Sequence, residues 1–299
     1  MRFILLNFIP LFFIMLFIKD SFANNDDKLI ANFNVTTSPG KKLKMNVYAG
    51  GVKIETWNKD EVEVKVYGND NAEKYFSYYA SSDDEGVVVK STVSSDFSDK
   101  RNFNLNTEFK ISVPKNYSVD ISTGGGSISI SELTGNVSLN TAGGSLKLSK
   151  ITGNINAETS GGNLRYENIT GNINSSTSGG SIKVTKFNGN VNISTSGGNI
   201  ELEGKNGSVD ASSSGGSINL SYTGRNEGID LNTSAGNISV KVPEDFDAEA
   251  DLYTSVGNIN SDFAKVDKES MSSKLKVRLN NGGNHLKCVT SAGNISLTK

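Results

Sequence analysis

Thr159-Ser160-Gly161-Gly162-Asn163-Leu164-Arg165-Tyr166 returns eighteen residues later as Thr177-Ser178-Gly179-Gly180-Ser181-Ile182-Lys183-Val184, and again as Thr195-Ser196-Gly197-Gly198-Asn199-Ile200-Glu201-Leu202. The same heading stands at Thr123, Thr141 and Ser213, then at Thr233 and Thr254 with the spacing stretched to twenty and twenty-one. Self-similarity at a fixed period of this length marks a stacked, quasi-one-dimensional architecture. Each unit splits into two nine-residue halves, as Gly180-Ser181-Ile182-Lys183-Val184 and Gly189-Asn190-Val191-Asn192-Ile193 show, and each half supplies one short strand and one turn.

Aligning the units produces columns of apolar side chains: Ile128, Leu146, Leu164, Ile182, Ile200 and Ile218 in one, Val137, Ile155, Ile173, Val191 and Val209 in another. Leu133, Ile151, Ile169 and Phe187 form a third, which Lys205, beside Gly204, interrupts as a local bulge. A coil of this kind buries its inner face only against the coils above and below, so such columns are what a solenoid core requires. No proline falls in the array before Pro243, as expected where strands donate hydrogen bonds on both sides. The reading is all-β: a single-stranded parallel β-helix of about eighteen residues per coil and seven to nine coils. At about 4.8 Å between paired strands, eight coils make a rod of roughly 40 Å. Right-handed winding is preferred because parallel crossovers within a sheet are overwhelmingly so; the left-handed hexapeptide type also fits the period.

Working outward, residues 24–122 lack the repeat and read as separate strands, with apolar and polar residues alternating as in Val62, Val64 and Val66 against Glu61, Glu63 and Lys65. Asp83-Asp84-Glu85-Gly86 reads as a hairpin turn, and one helical turn is expected around Asn71 to Lys74. Beyond the array of 123–262, residues 274–279 and 285–289 read as a hairpin, and Thr290-Ser291-Ala292-Gly293-Asn294-Ile295 restarts the heading. A solenoid with open strand edges invites association, so 24–122 and 263–299 are expected to act as β-strand caps on the two ends of a monomer.

Residues 1–23 have the form of a secretory signal: Arg2, an apolar run from Ile4 to Ile18 broken only by Asn7 and Pro10, then Ser21-Phe22-Ala23 as a small-residue cleavage site. The alternative is an uncleaved amino-terminal anchor. No later apolar run has spanning length, so an extracytoplasmic chain without an integral membrane segment is expected, in the periplasm, at the surface or secreted. A net charge of -2 without basic runs gives no footprint for nucleic acid. One cysteine, Cys288, excludes an intramolecular disulfide, and its parity with Leu286 makes it a small buried hydrophobe.

Gly50-Gly51-Val52-Lys53-Ile54-Glu55-Thr56-Trp57, Asp60-Glu61-Val62-Glu63-Val64, Val113-Pro114-Lys115-Asn116-Tyr117 and the repeated Ser-Gly-Gly-Asn/Ser-Ile phrase resemble bacterial β-strand-repeat families of unknown function described as putative adhesins. The resemblance covers nearly all of the chain after residue 23. It implies an exported, envelope-associated β-helix, and transfers no catalytic residues. Where many relatives place Asp after the glycine, this chain has Asn163, Ser181 and Asn199.

Calcium in the turns needs several carboxylates, but the positions hold Asn156, Asn174 and Asn192, with Asp210 and Asp230 as the acids; asparagines bonding to one another up the column explain them. The outward row Ser129, Lys147, Arg165, Lys183, Glu201 mixes charges as a solvated face does. Glu244, Asp245, Asp247, Glu249 and Asp251 coincide with the lengthened period and read as a protruding loop. Thr141, Thr159, Thr177 and Thr195 could present a hydroxyl ladder to ice or glycan, or merely satisfy turn backbone. His285, the one histidine, is expected at the surface, and its solitude excludes multi-histidine metal sites and histidine triads. Trp57 reads as a plug over the first coil. No catalytic, cofactor or metal residue is assigned and no cofactor is implied.

The sequence therefore points to a non-enzymatic surface or envelope interaction module whose partner is an envelope protein or a glycan. A carbohydrate-active β-helix enzyme and an envelope-stress or assembly accessory are the other classes. Local function is expected where the repeat breaks: at Lys205, from Arg225 to Asp251, and at the ends.

Overall fold

A computed structural model describes residues 27–94, 104–263 and 274–299; the expected signal, 1–23, lies outside them. The amino-terminal part runs β1 (Lys28–Thr36), β2 (Lys42–Val47), β3 (Gly51–Trp57), β4 (Glu61–Gly68), α1 (Asp70–Tyr75), β5 (Phe76–Ser82), β6 (Gly86–Val93), β7 (Thr107–Pro114) and β8 (Ser118–Thr123). The repeats follow as β9 (Ile128–Ser131), β10 (Val137–Thr141), β11 (Leu146–Thr152), β12 (Ile155–Thr159), β13 (Leu164–Thr170), β14 (Ile173–Thr177), β15 (Ile182–Asn188), β16 (Val191–Thr195), β17 (Ile200–Ser213) and β18 (Ile218–Ala235). The chain closes with β19 (Ile238–Lys241), β20 (Ala248–Val256), β21 (Ile259–Ser261), β22 (Lys274–Leu279), β23 (His285–Ala292) and β24 (Ile295–Thr298).

Strands of the array stack in parallel on two flanks. On the first, β8, β10, β12, β14, β16 and the ends of β17 and β18 pair with Val137, Ile155, Ile173, Val191 and Val209 in one register line. On the second, β9, β11, β13 and β15 and the starts of β17 and β18 align Ile128, Leu146, Leu164, Ile182, Ile200 and Ile218. These are the columns read from the repeat, and every one of those side chains is buried. Burying each is worth about 1.5–3 kcal/mol, and the alternation that points them inward sends Lys147, Arg165 and Asn156 out to water. Because β17 and β18 run through the corner without a break, the two flanks join into one sheet that curls around a single core.

Glycine is forced at the fourth heading position: a Cβ on Gly162 would lie 1.9 Å from the Gly144 carbonyl oxygen of the coil below. The third column is repaired at its bulge. The register slips between Thr185 and Phe187, so Gly204, and not Lys205, faces Phe187 and then Tyr222. The Phe187 ring fills the room that Gly204 leaves, while Lys205 is exposed.

Both ends are interleaved. The coil formed by β2 and β3 lies between that of β6 and β7 and that of β8 and β9, all in parallel. Outside it β4 and β5 run antiparallel to β7 and β6, and β1 antiparallel to β4. The turn at Asp83 is the expected hairpin, its carboxylate accepting the Glu85 and Gly86 amides. The single turn of helix, α1, is capped by the Asn69 side chain accepting the Ala72 amide.

At the other end β23 slots between β18 and β20, and β24 between β19 and β21, again in parallel. The expected hairpin of 274–279 with 285–289 is thus corrected: β22 and β23 lie on opposite sides of β20. The reason is in their side chains. Leu286, Cys288, Ile295 and Leu297 continue the core columns and need a coil on each side, whereas β22 carries no heading and fits an antiparallel edge. Cys288 is fully buried, and that burial raises its thiol pKa well above the ordinary range.

Candidate functional site

Turn residues set the chemistry of the surface. At the corner before each first-flank strand, one side chain accepts the backbone amide of its counterpart in the next coil. Ser118 Oγ accepts from Asn136 at 3.2 Å, Asn136 Oδ1 from Asn154 at 3.1 Å, Asn154 Oδ1 from Asn172 at 3.1 Å, Asn172 Oδ1 from Asn190 at 3.4 Å and Asn190 Oδ1 from Ser208 at 2.8 Å. The opposite corner repeats the device with serine and asparagine in alternation: Ser145 Oγ accepts from Asn163 at 3.1 Å, Asn163 Oδ1 from Ser181 at 2.8 Å and Ser181 Oγ from Asn199 at 3.2 Å. Each bond satisfies an amide that leaves the strand at a turn and would otherwise lack a partner. This is why the chain carries Asn163, Ser181 and Asn199 after its glycines.

Along the first flank runs a groove of about 940 Å³, extending over the coils from Lys42 and Glu85 to Ser208 and Asp210. One wall is the row Asn136, Asn154, Asn172, Asn190; the facing row, two residues along each strand, is Ser138, Asn156, Asn174, Asn192, with Asp120 and Asp210 at its ends. Six coil steps at about 4.8 Å give the groove a length of about 29 Å. Within the facing row Asn174 Nδ2 donates to Asn156 Oδ1 at 3.1 Å, so the column bonding expected of the asparagines is present at that pair.

The remaining candidates fall elsewhere. The threonine ladder is turned inward, not out to a ligand: Thr159, Thr177 and Thr195 are buried and donate to the carbonyls of Gly144, Gly162 and Gly180 at 2.8–2.9 Å. Of the two readings open in the sequence, the structure shows the one in which the hydroxyls satisfy turn backbone, and a hydroxyl spent that way has no hydrogen left to offer ice or glycan. The row Ser129, Lys147, Arg165, Lys183, Glu201 stands in register on the second flank, with Lys183 bonded to Glu201 at 2.6 Å.

The five acids after Pro243 are divided among separate partners. Glu244 pairs with Lys299 at 2.6 Å, and that hydrogen bond first, then the charge, holds its carboxyl below the usual range. Asp247 accepts the Asn281 amide at 3.0 Å, while Glu249 and Asp251 approach Arg278 and Lys276. Asp245 lines a second hollow of about 410 Å³ with Arg225 and Asn226. Among the described residues no cluster of three or more His, Cys, Asp or Glu converges as a metal site.

His285 is exposed, as expected, and bonds Asp230 Oδ2 at 2.7 Å, tying β23 to β18. Trp57 is half-buried beside the turn into β4, its Nε1 donating to the Glu61 carbonyl and Lys59 lying 4.3 Å over its ring. It lies beside the coil and does not plug the end.

The asparagines of the groove wall carry no charge and so do not stand out in the sequence as a site. Their signal is nonetheless periodic, a Gly-Asn pair at 135–136, 153–154, 171–172 and 189–190.

A family profile described as Toastrack DUF4097 matches residues 40–298. No curated protein matches the chain. Among solved structures, a putative adhesin from Bacteroides fragilis NCTC 9343 shares 16% identity over 91% of this chain and 96% of its own, with a TM-score of 0.42. A putative adhesin from Parabacteroides distasonis ATCC 8503 shares 15% over 90% and 97%, with a TM-score of 0.47. A putative lipid binding protein from the same organism shares 16% over 92% and 98%, with a TM-score of 0.44.

Proposed function

The chain belongs to the Toastrack DUF4097 family, and from that premise we propose that it is an exported, non-enzymatic interaction module of the bacterial cell surface or envelope, contacting its partner along the solenoid flank. The carrying observation is the groove over the coils from Lys42 to Asp210, which offers the same exposed polar groups coil after coil. A repeated, shallow, uniform surface is suited to an elongated partner and not to a reaction centre, which needs unlike groups converging at one level.

The acids bordering the groove support this reading over a glycan-cleaving enzyme. Asp120 and Asp210 are five coil steps apart, about 24 Å, where hydrolysis needs two carboxyl groups within about 5–9.5 Å, and Glu85, the third acid of the lining, is held in an ion pair by Lys42 at 3.0 Å. Glu158, midway, has Asn140 and Ser176 as its register neighbours. In this reading the winding is right-handed, β1, β4 and β5 and, opposite, β22 are caps that keep the core from joining other chains, and the signal at 1–23 places the mature chain outside the cytoplasm.

The test combines location and activity. The tagged full-length chain, produced in its source cell, is expected in the extracytoplasmic fraction, and the purified mature chain is expected to bind isolated envelopes saturably while leaving polysaccharides uncut. Turnover of a polysaccharide that disappears with Glu158→Gln, Asp120→Asn or Asp210→Asn would replace this reading with the enzymatic one.

A further inference from the structure

We propose that the groove wall formed by Asn136, Asn154, Asn172 and Asn190 is a binding site for a linear, uncharged glycan lying along the solenoid axis, one sugar ring to each coil. The inference rests on the interaction-module reading and names its ligand.

The orientation of these amides follows from chemistry. A backbone N–H can be accepted only by the Oδ1 of an asparagine, and in each of the four Oδ1 takes the amide of the next coil. Each Nδ2, with two hydrogens, is therefore left over, on an exposed residue, and none of the four Nδ2 groups donates a hydrogen bond among the described residues. The result is a row of four identical donor pairs at one coil spacing, about 4.8 Å.

The fold does not require those donors. It requires only an acceptor: Ser118 plays the part at one end of the same row, and Ser127, Ser145, Ser181 and Ser217 play it at the opposite corner. Asparagine at four consecutive coils supplies the structural bond and adds a donor that serine cannot direct in the same way. The surplus group is what a ligand can use.

The ligand class follows from spacing, polarity and charge. A coil step is close to the length that one pyranose ring adds to an extended chain, whereas an extended peptide advances about 3.2–3.4 Å per residue and falls out of step. A row of NH₂ groups calls for acceptors, which ring, glycosidic and hydroxyl oxygens provide, and the facing Asn192 amide and Ser138 hydroxyl can both donate and accept. A polyanion is disfavoured: Lys42 is paired with Glu85 at 3.0 Å, and Asp120 and Asp210 stand at the ends of the facing row. Neutral carbohydrate, bound weakly per ring and cumulatively along the groove, is the chemistry that fits.

The test uses the mature full-length chain and measures binding of cellohexaose, xylohexaose and chitohexaose, with polygalacturonate as the anionic counterpart. Asn154→Ser/Asn172→Ser keeps the inter-coil acceptor and removes four N–H donors; Asn154→Asp/Asn172→Asp does the same with a carboxylate. Lys147→Gln/Arg165→Gln alters the second flank. At least one neutral hexasaccharide is expected to bind, more tightly than its trisaccharide, with affinity falling at least tenfold in both asparagine variants and unchanged in the second-flank variant. Melting temperatures, measured in parallel, are expected to stay near that of the parent in the serine variant.

Binding that survives both asparagine substitutions overturns the proposal, as does a groove that takes polygalacturonate and none of the neutral chains. If none of the sugars binds while isolated envelopes still retain the protein, the glycan assignment fails and the interaction-module reading stands. Loss of envelope retention as well removes both.

Discussion

The middle coils and the two ends share one core but are assembled by different rules. Between Leu133 and Val209 each strand stacks on the strand eighteen residues away, so sequence order and spatial order coincide. At the ends they part: β2 and β3 lie between β6 and β7 on one side and β8 and β9 on the other, with β6 and β7 outermost although they come later in the chain, and β23 and β24 slip between strands that precede them. A coil in the middle depends on its immediate neighbours in the chain. A coil at either end is completed by a segment that arrives from elsewhere, so its loss can leave the middle standing.

The largest expected effect probes the middle. Gly162→Ala puts a methyl group 1.9 Å from the Gly144 carbonyl, whereas a Cβ on Gly143, in the same kind of heading, meets nothing within 4 Å. Gly162→Ala is expected to cost about 3–5 kcal/mol and Gly143→Ala less than about 0.5 kcal/mol, read by denaturant unfolding. Equal costs would show that the coils do not approach each other as closely as described.

The second effect probes the end. Leu286→Ala empties a fully buried site in β23 and is expected to cost about 2–5 kcal/mol, but to act locally. Because Cys288 lies buried in the same strand with its thiol pKa raised, it is inert to a thiol reagent until the coil opens. Leu286→Ala should speed its labelling many-fold, while Leu164→Ala, destabilising the middle, should speed it only in step with global unfolding. Identical rates in the two variants would mean that the last coil is not a separate unit.

The smallest effect is electrostatic. The Lys150 hydrogen bond, then its charge, holds Glu132 below its ordinary value of about 4.5. A carboxyl depressed in the folded chain stabilises it above the unfolded value, and that contribution is lost as pH falls through the folded one. Glu132→Gln should therefore flatten slightly the fall of melting temperature below about pH 4.5, and high salt should erase the difference because both groups are exposed.

Much of this was legible in advance because the repeat is local. The columns through Ile173 and Leu164 follow from period alone, since a strand alternates and a coil must bury one face. The bulge at Lys205 is legible as a break in its column, but spacing does not say which residue takes the inward place; it takes the ring of Phe187 to show that Gly204 yields the volume. The threonines were ambiguous in sequence since a hydroxyl can face water or a carbonyl, and only the approach of the next coil decides it. The wall asparagines were visible as a period but carried no sign of which end of the amide was spent.

By itself, the sequence determined that this chain is a β-solenoid with an eighteen-residue coil, because hydrophobic period and glycine spacing are properties of neighbouring residues. Tertiary structure alone decided that the last coil sits inside the stack and that four asparagines point their N–H groups outward. Several coils offer near-equivalent columns to a strand that repeats the phrase, so its place is settled only by which partners remain unpaired once the chain has folded.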